Sequence, residues 1–141
     1  MIEVFVGFHA PYFRNLKGHV DPRGWFGHVE AWAYTKDETW IFLDPQAKGF
    51  RILVTHHHDD VLDQLAARYD LCETILKLPM QERDFRIPLH GPMTCAAILG
   101  AILGHRALFP SGLRRKLLAN GAEVVKHGTE GKSEGQGCAA P

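Results

Sequence analysis

The sequence predicts an α+β fold in which an antiparallel sheet packs on a buried, cysteine-bearing helix. Polar and apolar residues alternate over residues 26–34 and return over 39–44 after a polar turn, which is typical of a β-hairpin. An apolar run over residues 92–104 predicts a helix buried on all sides; at about a dozen residues it is shorter than the roughly 20 needed to cross a bilayer. We therefore expect about four to six antiparallel strands packed on this helix.

Length and composition indicate one globular domain. The 141 residues are 45% hydrophobic and 23% charged, with a formal net charge of +0. We predict a single domain over residues 1–126 and a disordered tail over 127–141, because the tail has almost nothing to bury. The neutral charge disfavours nucleic acid or a membrane as partner. The first residues are typical of a strand rather than of a signal peptide, which favours folding in a reducing cytoplasm.

The remaining segments supply further strands and two more helices. An irregular surface connection is expected over residues 7–24. The strand pattern recurs at four places, at residues 1–6, 50–55, 73–78 and 85–89. Between the strands at 50–55 and 73–78 we predict an amphipathic helix, with Asp59 or Asp60 as its N-cap and an apolar stripe formed by Val61, Leu62, Leu65 and Tyr69. Ser111 is expected to cap a last helix over 112–119.

Cys95 is placed in the first turn of the buried helix. Thr94 suits the N-cap and Gly104 suits the helix end. The helix dipole and the unpaired backbone N–H groups of a first turn favour a thiolate, the form in which cysteine attacks. The alternative is a small, inert residue in a tightly packed helix, since free cysteine is among the most buried residue types.

The hairpin offers a base and an acid for this thiol. With residues 35–37 at the tip, His28 faces Asp44, and cross-strand Cβ atoms lie about 5 Å apart. A carboxylate at that distance can orient an imidazole for general-base work. Pro45 is expected to end the strand and so place this pair at the sheet rim. Glu30 is the second choice for the acid, because same-face neighbours on one strand lie about 7 Å apart.

Other histidines and cysteines carry weaker signals. The run His56–His58 resembles a metal site at first sight, but adjacent strand residues point to opposite faces. We therefore predict neither a metal nor a cofactor. His90 is assigned to a loop before the buried helix, Cys72 to core filling and Cys138 to no role.

The order of these motifs resembles the circularly permuted papain-like cysteine hydrolases related to NlpC-type peptidases and amidases. Three segments carry the resemblance: GHVEAW at 27–32, WIFLDP at 40–45 and TCAAILGAILG at 94–104. A short helix after the cysteine helix, within 109–122, is also similar. The set is similar to small, uncharacterised bacteriophage-encoded proteins of this permuted fold, and the resemblance covers roughly residues 24–125.

This resemblance implies Cys95 as nucleophile, His28 as general base and Asp44 as orienting acid. The implied reaction is hydrolysis of an amide bond through an acyl-enzyme. A peptide or protein is the implied substrate, with peptidoglycan peptides included, and other phage proteins are implied partners; the location would be cytoplasmic or virion-associated. Two other classes stay open: a non-catalytic virion or accessory protein that uses this shell for binding, and a metal-binding protein built on His56–His58.

Overall fold

The computed structural model describes residues 2–9, 26–46, 49–80 and 94–126, which form a mixed α/β fold. Four expectations fall wholly or mostly outside these residues: the connection over 7–24 from residue 10 onward, the strand at 85–89, the loop position of His90 and the tail with Cys138. A six-stranded antiparallel sheet and three helices make up the described part. No helix within it has the length and apolar character needed to cross a membrane.

The strands are ordered β4-β3-β2-β1-β5-β6 across the sheet, and each neighbouring pair is antiparallel. The elements in chain order are β1 (Ile2–His9), β2 (His28–Tyr34), β3 (Trp40–Gln46), β4 (Gly49–Thr55), α1 (His58–Leu71), β5 (Cys72–Met80), α2 (Cys95–Leu103), α3 (Pro110–Ala119) and β6 (Glu123–Lys126).

Helices cover both faces of the sheet. On one face, α2 and α3 pack over the central strands, where the buried residues include Val6, Val29 and Leu99. On the other face, α1 covers a second cluster that includes Trp32 and Val61. The apolar residues of β1 and β2 thus alternate between the two cores, as in Val4, Phe5 and Val6, which strand geometry requires.

The cysteine-bearing helix α2 is fixed at both ends. The Thr94 hydroxyl accepts a hydrogen bond from the Ala97 N–H at 2.9 Å and donates one to the Leu108 carbonyl at 2.6 Å. Gly104 ends the helix with a left-handed φ of 83°, and the His105 N–H donates to the Gly100 carbonyl at 2.7 Å. The predicted caps Thr94 and Gly104 are thus confirmed.

The predicted hairpin register is wrong by two residues. Tyr34 pairs with Trp40 rather than with Glu38. The loop is wider than expected because the Thr35 N–H donates to the Thr39 carbonyl at 2.9 Å and Glu38 takes a positive φ of 58°. The strand β3 also does not end at Pro45, which pairs with Phe50 in β4. The pairing of β3 with β2 stops at Leu43. Pro45, which has no backbone N–H, therefore lies where β3 is paired with β4 alone, and proline is tolerated there.

Two predicted helix starts are also wrong. His57 is the N-cap of α1, and Asp59 and Asp60 lie in its first turn, where carboxylates suit the helix dipole. Phe109 is the N-cap of α3, with Pro110 at the first helical position, so Ser111 lies inside the helix.

The apolar stripe of α1 and the ends of the sheet differ from expectation in detail. Val61 is buried, but the side chains of Leu62 and Tyr69 are 65% and 51% exposed, so they lie off the buried face. The first strand continues to His9 instead of stopping at residue 6, and the edge strand β6 was not predicted.

Gly100 offers a test of how tightly α2 is fixed. A Cβ atom there would lie 2.3 Å from the His105 carbonyl oxygen, which is backbone and cannot turn aside. We expect Gly100→Ala to lower the free energy of unfolding by about 1–3 kcal/mol. Gly112 in α3 is the matched control, because a Cβ there meets nothing within 4 Å. Gly112→Ala should raise stability by about 0.5–1 kcal/mol through helix propensity. Urea unfolding of both variants measures these changes. An unchanged free energy of unfolding in Gly100→Ala would contradict the prediction.

Candidate active site

His28 and Asp44 form a direct hydrogen bond between two strands. His28 is the first residue of β2, and its Nε2 lies 2.6 Å from Asp44 Oδ1 in β3. The contact runs diagonally, because the observed register stops at Ala31 opposite Leu43 and does not set the two residues face to face. Gln46 donates to Asp44 Oδ2 at 2.8 Å, so both carboxylate oxygens have a partner. The side chains of His28 and Asp44 are 23% and 16% exposed.

Cys95 reaches the same imidazole from a third element. It is the first residue of α2, half-buried, and its side chain lies close enough to His28 to raise the pKa of that imidazole. Asp44 engages Nε2, which leaves Nδ1 as the ring nitrogen for the thiol. Because α2 packs on β2 and β3, its N-terminus lies beside the end of the sheet that carries both partners. The structure thus brings together the thiol, imidazole and carboxylate predicted from the sequence.

The three groups favour a charged imidazole. Burial lowers the pKa of His28, but the hydrogen bonds to Asp44 and Cys95 and the charges of these groups outweigh it and raise this pKa to about 10. Burial raises the pKa of Asp44, yet its hydrogen bonds to His28 and Gln46, and the His28 charge, leave it below the ordinary value. An imidazolium held by an ionised carboxylate results.

Glu30, the second choice for the acid, engages different partners. Its Oε1 lies 2.9 Å from Arg68 Nε of α1, and its Oε2 lies 3.4 Å from His9 Nε2. The Arg68 guanidinium also stacks over the Phe42 ring at 4.4 Å. Glu30 therefore balances a buried cation beneath α1, whereas Asp44 is the carboxylate bonded to His28.

His9 and Arg68 are the neighbours of this site that sequence reasoning missed. The His9 and His28 rings lie 5.4 Å apart, and the two residues are paired across β1 and β2. The buried residues Val4, Val6 and Phe8 alternate along β1, and Gly7 does not interrupt this pattern. Continued by one residue, the same strand includes His9, which is paired with His28. No pattern in the sequence indicates that Arg68 contacts Glu30, because that contact depends on how α1 packs on the sheet.

Within the part of the chain that the structure describes, two groups of side chains could hold a metal ion. His28, Glu30 and Asp44 form one, and His9, Glu30 and Cys72 form the other; within each, the donor atoms lie within 4.8 Å of one another. Cys72 is buried, as expected, and burial together with the charge of Glu30 raises the pKa of its thiol to about 12.

His56 and His57 belong to neither of the two groups found among the described residues. His56 and His57 are exposed, and His56 Nδ1 lies 3.0 Å from the Thr39 hydroxyl. The first histidine of the run thus contacts the hairpin, and the second begins α1 as the N-cap.

A thiol beside an imidazole that is oriented by a carboxylate is the arrangement of side chains used in acyl-transfer sites. No family model, curated protein or solved structure matches the chain. In a site of that kind, a carboxylate orients the ring, and the ring can exchange a proton with the thiol.

The pH dependence of stability tests the His28–Asp44 ion pair. The pKa of His28 rises from 6.5 to about 10 on folding, so its contribution is complete below pH 6.5 and is lost as the pH rises to about 10. The lowered pKa of Asp44 contributes above pH 3.8 and is lost as the pH falls through the folded-state value. The free energy of unfolding of wild type minus that of His28→Gln should therefore be largest between pH 3.8 and pH 6.5.

Urea unfolding of chelator-treated protein across this range measures that difference. The charged and titratable neighbours of His28 that enter it are His9, Glu30, Asp44 and Cys95, with Arg68 beyond Glu30. His57→Gln, at an exposed position, serves as control. A His28→Gln difference that does not change with pH would contradict the ion pair.

Proposed function

We propose that this protein is a cysteine hydrolase of the circularly permuted papain-like type, which cleaves an amide bond through an acyl-enzyme on Cys95. The observation that carries the proposal is that His28 contacts both Asp44 and Cys95, although the three residues come from separate elements. Their order along the chain, base and acid before nucleophile, fits the permuted arrangement to which the sequence is similar.

Acylation would begin with the Cys95 thiolate attacking the carbonyl carbon of the scissile amide. The sulfur–carbon bond forms, and the carbonyl oxygen takes the negative charge. The His28 imidazolium then gives its proton to the leaving amine as the carbon–nitrogen bond breaks, which leaves a thioester on Cys95. In deacylation, neutral His28 takes a proton from water while the resulting hydroxide adds to the thioester carbon. The carbon–sulfur bond then breaks, the carboxylic acid leaves, and the Cys95 thiolate forms again beside the His28 imidazolium. Asp44 keeps the ring oriented in both steps.

The start of α2 supplies a donor for the oxyanion. The first four N–H groups of a helix have no acceptor within it, and the Thr94 hydroxyl satisfies only that of Ala97. In this proposal the Cys95 N–H would donate to an oxyanion formed on the carbon bound to its own sulfur. The positive end of the helix dipole favours the same charge. The bond from Thr94 to the Leu108 carbonyl holds this first turn in place.

The proposed substrate is a peptide or a protein, with peptidoglycan peptides included, and the chemistry needs no cofactor. A cytoplasmic or virion-associated location, with other phage proteins as partners, fits the same proposal. The competing proposal, a non-catalytic accessory protein that uses the same shell for binding, predicts a thiol that is never acylated.

Trapping of the acyl-enzyme tests the hydrolase proposal. Wild-type protein incubated with an activated acyl ester and with a panel of peptides, including peptidoglycan stem peptides, should gain the acyl mass on Cys95, seen by intact-protein and peptide mass spectrometry. Cys95→Ala should gain none, and His28→Ala should acylate about 10²–10⁴-fold more slowly. Acylation of wild type at the same rate as His28→Ala would contradict the proposal and favour the binding module.

Two carboxylate variants separate orientation of His28 from stability. Asp44→Asn should slow acylation by about 10²–10⁴-fold, because the amide cannot balance an imidazolium. Glu30→Gln leaves the Arg68 charge buried without its partner, so it should lower the free energy of unfolding by about 3–5 kcal/mol and slow acylation less than Asp44→Asn does. Asp63→Asn, an exposed carboxylate on α1, is the control. A larger rate loss in Glu30→Gln than in Asp44→Asn would reverse the assignment of the acid.

A further inference from the structure

We propose that His9, Glu30 and Cys72 form a binding site for a zinc-type divalent cation, next to the hydrolase site and distinct from it. The three residues lie on neighbouring strands. His9 on β1 is paired with Cys72 on β5, and Glu30 on β2 is paired with Gly7, two residues before His9. Their donor atoms, an imidazole nitrogen, a carboxylate oxygen and a sulfur, lie within 4.8 Å of one another.

The site is buried and carries an unpaired donor atom. The exposed fractions of His9, Glu30 and Cys72 are 7%, 5% and 1%. Among the described residues, His9 Nε2 has no hydrogen-bond partner, although the side chain is only 9% exposed. This nitrogen lies 3.4 Å from Glu30 Oε2 without a hydrogen bond between the two atoms. A buried polar atom without a partner destabilises the fold, and an ion bound between these atoms would remove that cost.

Glycine at position 7 makes room for the sulfur of this group. A Cβ atom on Gly7 would lie 2.5 Å from Cys72 Sγ and 2.9 Å from Trp32 Cζ3. The missing side chain thus allows the Cys72 thiol to lie against the backbone of β1, on the strand that also carries His9. A side chain at position 7 would require the Cys72 sulfur or the Trp32 ring to move.

Arg68 does not compete for the oxygen that faces His9. It lies against Glu30 Oε1, whereas Oε2 points toward His9 Nε2. A carboxylate that binds a metal through one oxygen is commonly held by an outer partner on the other, and Arg68 has that position here. The Arg68 charge also offsets part of the negative charge of a carboxylate and a thiolate bound to the same dication.

The alternative group that shares Glu30 is already satisfied. His28 Nε2 and Asp44 Oδ1 are joined at 2.6 Å, so an ion there would have to break that bond. The donors at His9 and Cys72 lose no such bond. On binding, the Cys72 sulfur–hydrogen bond breaks, the proton leaves to the buffer, and a sulfur–metal bond forms.

The donor set selects the class of cation. Nitrogen, sulfur and oxygen donors from three residues suit Zn²⁺ or Co²⁺, with water as a fourth ligand, and not the oxygen-binding Mg²⁺ or Ca²⁺.

Cobalt binding tests the site directly. The chain has three cysteines, so a Cys95→Ser, Cys138→Ser variant leaves Cys72 as the only thiol. After chelator treatment, Co²⁺ titration of this full-length variant should give one equivalent of a tetrahedral complex with a thiolate-to-cobalt charge-transfer band, which Zn²⁺ displaces. Lack of that band in the single-thiol protein would overturn the proposal.

Further substitutions in this single-thiol background assign the ligands. His9→Gln should weaken Co²⁺ binding by more than the roughly 10–100-fold expected for loss of an outer partner, with folding checked by circular dichroism. Joint replacement of His56, His57 and His58 by Asn should leave the band unchanged. A band that persists in His9→Gln, or that disappears with the histidine run, would contradict the assignment. Because Cys95 is absent here, the result does not depend on whether the hydrolase proposal holds.

Discussion

The hydrogen bond between His28 and Asp44 is the contact on which the candidate active site depends. Backbone pairing of β2 with β3 stops at Ala31 and Leu43, and this side-chain bond joins the two strands beyond that point. It fixes which ring nitrogen faces the first turn of α2, and Gln46 holds the carboxylate from the other side. The capped start of α2 then presents Cys95 to the remaining nitrogen, so sheet and helix meet at one imidazole.

A second set of buried polar groups lies directly beside this contact. Glu30, Arg68 and His9 occupy the space beneath α1, and the His9 ring lies 5.4 Å from that of His28. One carboxylate thus serves the thiol site and another balances the buried guanidinium. If both carboxylates were paired with the His28 imidazole, the Arg68 guanidinium would be buried without a counter-charge, which would destabilise the fold. This division explains why Glu30 and Asp44, two carboxylates near the same pair of histidines, have different partners.

Local signals in the sequence predicted the parts of the fold that local interactions determine. Thr94 and Gly104 bounded α2 correctly because capping depends on a few adjacent residues. The contact of His28 with Asp44 was anticipated although the register was wrong, since a two-residue shift keeps both side chains on the same face. The loop width, set by the positive φ of Glu38, was not visible in the residue types. The Arg68–Glu30 pair was missed because it depends on helix docking, a non-local event.

The measurement that tests the central claim most directly is the alkylation rate of Cys95 in wild type and in His28→Ala, with the labelled cysteine identified by mass spectrometry. At about pH 6, well below the usual thiol pKa of about 8.5, an ordinary cysteine reacts slowly because little thiolate is present. A thiolate paired with the His28 imidazolium should react fast at that pH in wild type and lose this reactivity in His28→Ala. Equal, slow alkylation of the two proteins would contradict the account of Cys95 as a nucleophile activated by His28.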